Sequence, residues 1–467
     1  MRPLEPGAPE LRRLIDACAE FVVRHIESLP EQPSWDVEGA AQVAAAFDGP
    51  APETGTDIET ILRRLGPAVS KSFTTAGPGY LAFIPGGGLP SAAAADFIAC
   101  AVNRFVGVAA AAPALARLEA ATVGWLATGM GYPATAGGIF TSGGSISNLT
   151  ALVTARVAGL PEDFRAGTLY MSEQTHLSLV KAARIAGFTE RSIRWVPVDA
   201  RLRIRPGRLE AMMKEDRDRG LRPFLVIANA GTTNTGAIDP ILPVLEIARA
   251  HGAWVHADAA YGGFFRLAPG GEGLFPGLEA CDSITLDPHK GLFLPYGTGC
   301  LLVRDPSALE RAHRGEATYL QDVQGREVAP DFHSLSPELS RDFRGLRVWL
   351  PIVLHGLGAF REQLREKLDL ARSAWEALRG EPLLEMLDEP QLSIVAFTCR
   401  GSKGRDGNAI AAELLRRVND RRRVFLSSTT IDGRFVVRIC VLSFRTHADR
   451  MAEAVEAIRD EARALAG

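Results

Sequence analysis

Four polar clusters follow apolar, strand-like runs in this chain, and each holds a side chain able to do chemistry. Asp287-Pro288-His289-Lys290 comes directly after Ser283-Ile284-Thr285-Leu286. Lysine is scarce, with Lys71, Lys181, Lys214, Lys290, Lys367 and Lys403 set against many arginines. A desolvated lysine amine can capture a carbonyl carbon as a Schiff base once its pKa is lowered, which arginine cannot do. A lone strand-end lysine more often only reaches solvent, so the reading depends on its neighbours. His256-Ala257-Asp258-Ala259-Ala260-Tyr261-Gly262-Gly263 places a carboxylate at the end of a buried run, where it needs a cationic partner or a helix to cap. A protonated pyridine nitrogen is such a partner, and keeping it protonated makes the ring an electron sink. Ala257 and Ala260 leave room for a flat ring. Thr141-Ser142-Gly143-Gly144-Ser145-Ile146-Ser147-Asn148 is a Gly/Ser loop entering a helix; its N–H groups and hydroxyls either hold a phosphate or simply cap the helix. Ser172-Glu173-Gln174-Thr175-His176 offers His176 as a stacking partner for a ring, or as a structural histidine. Their order and their strand-end placement together describe one cofactor site.

The elements that position these clusters are an alternation. Between Gly138 and about Arg304, apolar runs at 168–171, 224–228, 253–256, 283–286 and 300–303 are separated by helical stretches that include 148–157, 177–185 and 241–250. This pattern predicts an α/β domain with a mainly parallel sheet, which binds ligands at the carboxyl ends of its strands. Ahead of it, helices over 9–29 and 58–65 flank a turn-rich stretch at 30–52 and must bury their apolar faces on the main domain or on a second subunit. The Gly/Pro-rich stretch 77–88, with Phe83, Ile84, Pro85 and Gly86, reads as a pocket-lining loop or a buried structural one. After Gly345 a helix over 346–376 precedes strands at 393–397 and 435–441, a helix at 408–418 and a closing helix at 449–465. The expected organisation is an N-terminal helical segment (1–75), a large α/β domain (76–345) and a small α+β domain (346–467).

Composition narrows the partners. The 467 residues are 46% hydrophobic and 23% charged, with a net charge of −3, so neither nucleic acid nor an anionic membrane is called for. The Ala-rich run 92–114 is broken by Asp96, Asn103 and Arg104, and no signal-peptide core follows Met1. Six scattered cysteines without CxxC spacing fit a reducing cytoplasm. His251 and His256 are too widely spaced for a one-turn helical metal pair, so no metal site is expected.

The HxDAAYGG and DPHK segments, with Arg438-Ile439-Cys440-Val441-Leu442-Ser443-Phe444-Arg445-Thr446 near the C-terminus, make the chain resemble the pyridoxal-phosphate-dependent group II amino-acid decarboxylases over nearly its whole length. The resemblance implies a fold type I architecture, pyridoxal 5'-phosphate as cofactor, a small-molecule L-amino acid as substrate and a homodimer. It implies Lys290 as the Schiff-base lysine, Asp258 on the pyridine nitrogen, His176 stacked over the ring and Ala260 on its other face. Gly144, Ser145 and His289 would hold the phosphate, with Thr232 near the ring. Phe83, Ile84, Pro85, Gly86 and Gly107 would line the substrate pocket. Arg438 and Arg344 are candidates to contact a carboxylate or a loop, or are ordinary ion-pair residues.

Two departures bear on the reaction. Counting back from Arg341-Asp342-Phe343-Arg344-Gly345-Leu346-Arg347-Val348-Trp349, the family's Asp-Tyr pair becomes Asp331-Phe332. The resemblance credits that tyrosine with protonating the α-carbon after CO2 leaves, and phenylalanine has no proton to give. An electron-rich α-carbon that is slow to be protonated is open to molecular oxygen, giving an aldehyde, ammonia and peroxide, as in related aldehyde synthases. Tyr319 or His333 supplying the proton would instead give an amine. The small residues Gly107-Val108-Ala109-Ala110-Ala111-Ala112 and the step Pro85-Gly86 favour a bulky substrate, and a cysteine S-conjugate would also permit β-elimination. A non-catalytic scaffold is the competing class, opposed by the intact Lys290, Asp258 and His176.

Overall fold

A computed structural model describes residues 4–315, 329–402 and 404–466. The N-terminal helices are α1 (Ala8–Ser28), the short α2 (Ala40–Ala44) and α3 (Ile58–Ser70); Asp57 caps α3 by accepting from the Thr60 N–H. Two helices that the apolar pattern did not announce follow, α4 (Pro90–Val102) and α5 (Pro113–Gly129). Both begin at a proline, whose missing N–H costs nothing in a first helical turn. Their alanine-rich faces give almost no amphipathic contrast, so a period search passes over them.

The main sheet has seven strands among the described residues. They are β1 (Gly137–Thr141), β2 (Gly167–Ser172), β3 (Ile193–Val196), β4 (Arg222–Asn229), β5 (Trp254–Asp258), β6 (Ser283–Leu286) and β7 (Gly299–Val303). Their order across the sheet is β1-β7-β6-β5-β4-β2-β3. Neighbours from β6 to β3 pair in parallel, while β7 runs antiparallel to both β6 and β1. The sheet is therefore mainly parallel, and β1 points the same way as β6. β2 and β6 are buried along their full length, as expected of strands covered on both faces. Helices α6 (Gly144–Gly159), α7 (Leu177–Ile185), α8 (Pro206–Asp218) and α9 (Ile241–Ala250) make the crossovers, α10 (Pro288–Gly291) carries Lys290, and α11 (Ser307–His313) follows β7.

Helix α12 (Arg344–Leu378) leads to a four-stranded antiparallel sheet of β8 (Leu384–Met386), β9 (Ile394–Cys399), β10 (Ser427–Ile431) and β11 (Arg434–Cys440), packed with α13 (Gly407–Asp420) and α14 (Ala448–Ala466). The single helix expected over 346–376 is broken at Gly356, whose φ of 75° only glycine adopts without strain. The largest apolar core runs from Ile84 through the main sheet to Val348, Phe360, Ile394 and Leu442, so α12 and β9 close over the same core as the main sheet. Among the described residues no helix is long and apolar enough to cross a membrane.

Candidate active site

The carboxyl ends of β1, β2, β4, β5 and β6 converge on one edge of the sheet, and each delivers part of a cavity of about 360 Å³. From β1 the chain passes through Ser142-Gly143-Gly144 into α6. Gly143 has φ 152°, a region closed to most side chains. A Cβ on Gly144 would lie 2.9 Å from Asp287 Oδ2 and 3.4 Å from the Ala260 Cβ, so three strand ends meet here with no spare volume. The N–H groups at the start of the 16-residue α6 and the Ser145 hydroxyl form an anion-binding edge.

From β2, His176 caps α7. Its Nδ1 accepts from the Ser178 N–H at 3.3 Å and lies 2.8 Å from Ser178 Oγ. Burial holds His176 below the ordinary histidine range, against the pull of Asp258. From β5, the buried Asp258 accepts from the Ala260 N–H at 3.2 Å and from Asn148 Nδ2 at 3.3 Å. From β4 comes Thr232, whose hydroxyl accepts from the Ala237 N–H at 3.1 Å. From β6, the Lys290 ammonium pairs with Asp287 at 2.8 Å, and His289 donates from Nδ1 to the Thr298 carbonyl at 2.6 Å. Burial lowers the His289 pKa, opposed by Asp287.

The residue pattern thus assembles an anion edge, a histidine, a buried carboxylate and a lysine in one cavity. The Pyridoxal-dependent decarboxylase conserved domain matches residues 41–400. The chain is also 34% identical over 461 residues to an aromatic-L-amino-acid decarboxylase of Bacillus atrophaeus, covering 98% of this chain and 96% of that one. The chain belongs to the pyridoxal-dependent decarboxylase family.

Solved structures superpose over the full length. Oryza sativa TDC with PLP and tryptamine aligns at a TM-score of 0.94 and 27% identity, covering 100% of both chains. A 4-hydroxyphenylacetaldehyde synthase of Rhodiola rosea shares the fold at a TM-score of 0.91 and 23% identity, again over 100% of both chains. The architecture is fold type I and the cofactor of this decarboxylase is pyridoxal phosphate.

The cavity suits that group. At Gly143 and Gly144, where a Cβ would meet His289, Asp287 or Ala260, the absence of side chains lets the N–H groups that open α6 approach a phosphate. Gly144, Ser145, His176, Thr232, Asp258, Ala260, His289 and Lys290 all line it. Bound there, the cofactor would supply an aldehyde to the lysine of this lining, Lys290, and a ring able to take up an electron pair. Lys290 is the one lysine in the lining, and Asp258 is held with one oxygen on Asn148 and the other on a main-chain N–H, the posture of a fixed counter-charge.

Other expected residues lie away from this lining. Phe332 does not line the Lys290 cavity: it begins a 3-10 turn (Phe332–Ser334), is fully buried, and packs with Val106, Ile139, Leu301 and Leu309 under Arg341, whose guanidinium lies 5.2 Å from the ring centre. An aromatic ring with no polar atom goes to the core. Arg341 in turn forms a fully buried ion pair with Glu119 at 2.6 Å. His333 donates its main-chain N–H to the Gly107 carbonyl and is likewise absent from the lining, while Tyr319 lies outside the described residues.

Phe83, Ile84, Pro85, Gly86 and Gly107 are not part of the lining either. Phe83 is 57% exposed at φ 55°, Ile84 joins the core, and Gly86 presses on the main chain of His289 from behind. Pro85 is buried between these two. Gly107 is buried against Phe105. Arg344 pairs with Glu338 at 2.6 Å. Arg438 is buried and donates to the Asn234 carbonyl at 2.7 Å, steadying the loop that carries Thr232. Missed in the sequence were Gln174, Asn229, Thr233 and Tyr296 in the lining, and the part Asn148 and Ser178 play there. The available signal was spacing: Asn148 lies three residues after Ser145, on the same helical face. Among the described residues no group of three His, Cys, Asp or Glu side chains could hold a metal ion.

Proposed function

We propose that this decarboxylase releases CO2 from a bulky, aromatic L-amino acid and returns the remainder as an aldehyde with ammonia and hydrogen peroxide, consuming one O2 and one water. The reading is supported by the count that sets Phe332, a residue with no acidic hydrogen, at the family's tyrosine position; the ring itself lies in the core under Arg341, outside the Lys290 lining. Slow protonation of the α-carbon leaves its electron pair open to O2. The aromatic side chain is supported by the 34% identity to an aromatic-L-amino-acid decarboxylase and by the likeness to a structure holding tryptamine. A second reading, plain decarboxylation to the amine, is favoured by Tyr296, whose hydroxyl-bearing ring lines the cavity 5.8 Å from the His289 ring.

The test measures O2 uptake beside CO2 release over a panel of aromatic amino acids and cysteine S-conjugates. One O2 per CO2 is expected, and Phe332→Tyr should move product toward amine by roughly 100-fold, the lower end of general-acid effects; unchanged products would remove position 332 from the reading. CO2 without O2 uptake overturns the oxidative reading, and Tyr296→Phe should then create O2 uptake. Pyruvate and free thiol without CO2 would mean β-elimination.

A further inference from the structure

We infer that Asn148 is a positioning residue: a hydrogen-bond relay running from Trp254 through Asn148 to His176 fixes His176 as the Nε2–H tautomer and locks the Asp258 carboxylate. The inference deepens the reading of this cavity as the decarboxylase site and rests on that reading for its consequence.

The relay has six members, and three fixed ends decide every ambiguous proton in it. At one end the Trp254 indole Nε1–H, which can only donate, reaches Ser283 Oγ at 2.8 Å. Ser283 accepts there, which leaves its own hydrogen free for His256 Nδ1, also at 2.8 Å. With Nδ1 accepting, the neutral ring of His256 carries its hydrogen on Nε2, which donates to Asn148 Oδ1 at 3.0 Å. Thr285 Oγ1, 3.3 Å from the same nitrogen, serves as a second acceptor.

At the second end Asp258 is an acceptor-only carboxylate, so the Asn148 amide must present Nδ2 to it, at 3.3 Å. That choice independently leaves Oδ1 for His256. Asn148 Nδ2 also donates to Ser178 Oγ at 3.0 Å, which directs the Ser178 hydrogen to His176 Nδ1 at 2.8 Å. At the third end the Ser178 main-chain N–H points at that same nitrogen, at 3.3 Å. His176 Nδ1 is an acceptor on both counts, and the hydrogen of the neutral ring sits on Nε2. His176 therefore meets whatever fills the cavity as a hydrogen-bond donor, and it cannot take up a proton on Nδ1 without breaking the cap of α7.

The experiment is two-bond 1H–15N spectroscopy of the full-length holoenzyme labelled in histidine, at neutral pH, with signals assigned through His176→Gln and His256→Gln. Both rings should show a protonated Nε2 and a bare Nδ1. A His176 protonated on Nδ1, or on both nitrogens, overturns the inference. Trp254→Phe removes the distal donor without touching the cavity and should shift the His256 Nδ1 signal, because Ser283 loses its donor, while Asn148 Oδ1 keeps the hydrogen on Nε2; an unchanged His256 pattern overturns the relay. Asn148→Leu should weaken retention of pyridoxal phosphate about ten- to hundredfold, as expected for stranding buried polar partners, and should shift the His176 Nδ1 signal, because the Ser178 hydroxyl loses its donor while the Ser178 main-chain N–H still holds Nδ1 as an acceptor. Unchanged retention with an unchanged His176 pattern overturns the positioning role. These readouts need no substrate: an intact relay in a protein that releases no CO2 would overturn the functional reading and leave the relay standing.

Discussion

His256 lies fully buried two residues before Asp258, and burial pushes its pKa down to about 4. In the folded chain it stays neutral down to that pH, whereas an unfolded chain binds a proton below about 6.5. The unfolded state therefore holds more protons between these limits, and the stability contributed is complete above about 6.5 and lost as pH falls toward 4. The shift corresponds to about 3 kcal/mol. Asp239 acts in the opposite sense. It is buried, its pKa is pushed up to about 6, and it stabilises the fold toward acid as the protonated carboxyl. The two contributions overlap, so the expected signature is a difference between proteins. Urea unfolding at pH 7.5 and 4.5 should show a smaller acid loss in His256→Gln than in the wild type, by up to about 3 kcal/mol. Equal losses would mean that His256 is not held neutral.

Strand ends and the loops behind them set how accurately these groups can be held. Gly86 illustrates the tolerance. A Cβ there would fall 2.1 Å from the His289 carbonyl oxygen and 3.2 Å from that of Lys290. The loop would have to lift, and the turn carrying Lys290 would move with it. Gly86→Ala should lower kcat at least roughly tenfold, since positioning errors near 1 Å can cost about 100-fold, and should weaken retention of the cofactor. Gly207→Ala, in the exposed first turn of α8 with nothing within 4 Å, should change neither. Equal behaviour of the two variants would show that the contact is not needed. The sequence made much of this edge readable, because apolar strand-like runs end abruptly in polar clusters that hold His176, Asp258 and Lys290, and the resemblance added Gly144, Ser145, Thr232, Ala260 and His289; all eight line the cavity. Gly86 and Phe332 lie outside this lining for a physical reason. A glycine's close approach and a ring's burial depend on what packs opposite, which local pattern does not encode. Asn148 was missed similarly, since its partners Asp258, His256 and Ser178 come from three other stretches of chain.

Across the whole molecule, polar chemistry concentrates at one sheet edge while apolar surface accumulates elsewhere. Helices α1 and α3 bury none of their residues, although Leu11, Leu14, Val22, Val23 and Ile61 are apolar. Phe97, Ile98 and Val102 on α4 and Val353 and Leu354 on α12 are also exposed, and α4 and α12 are tied together by Asp96 with Arg347 and by Ser91 with His355 at 2.9 Å. A lone chain rarely leaves this much apolar side chain in water, and a permanent subunit interface is the ordinary way to cover it. The expectation is a homodimer that buries the N-terminal helices and the α4–α12 face. Light scattering at micromolar concentration should give twice the 50.1 kDa of one chain. Phe97→Asp combined with Leu354→Asp should shift the mass toward the single chain, because each charge would have to be buried unpaired at the interface. A wild-type mass of one chain would overturn the expectation. A variant that remains dimeric would place the interface on α1 and α3 alone, and removing residues 1–70 should then yield the monomer.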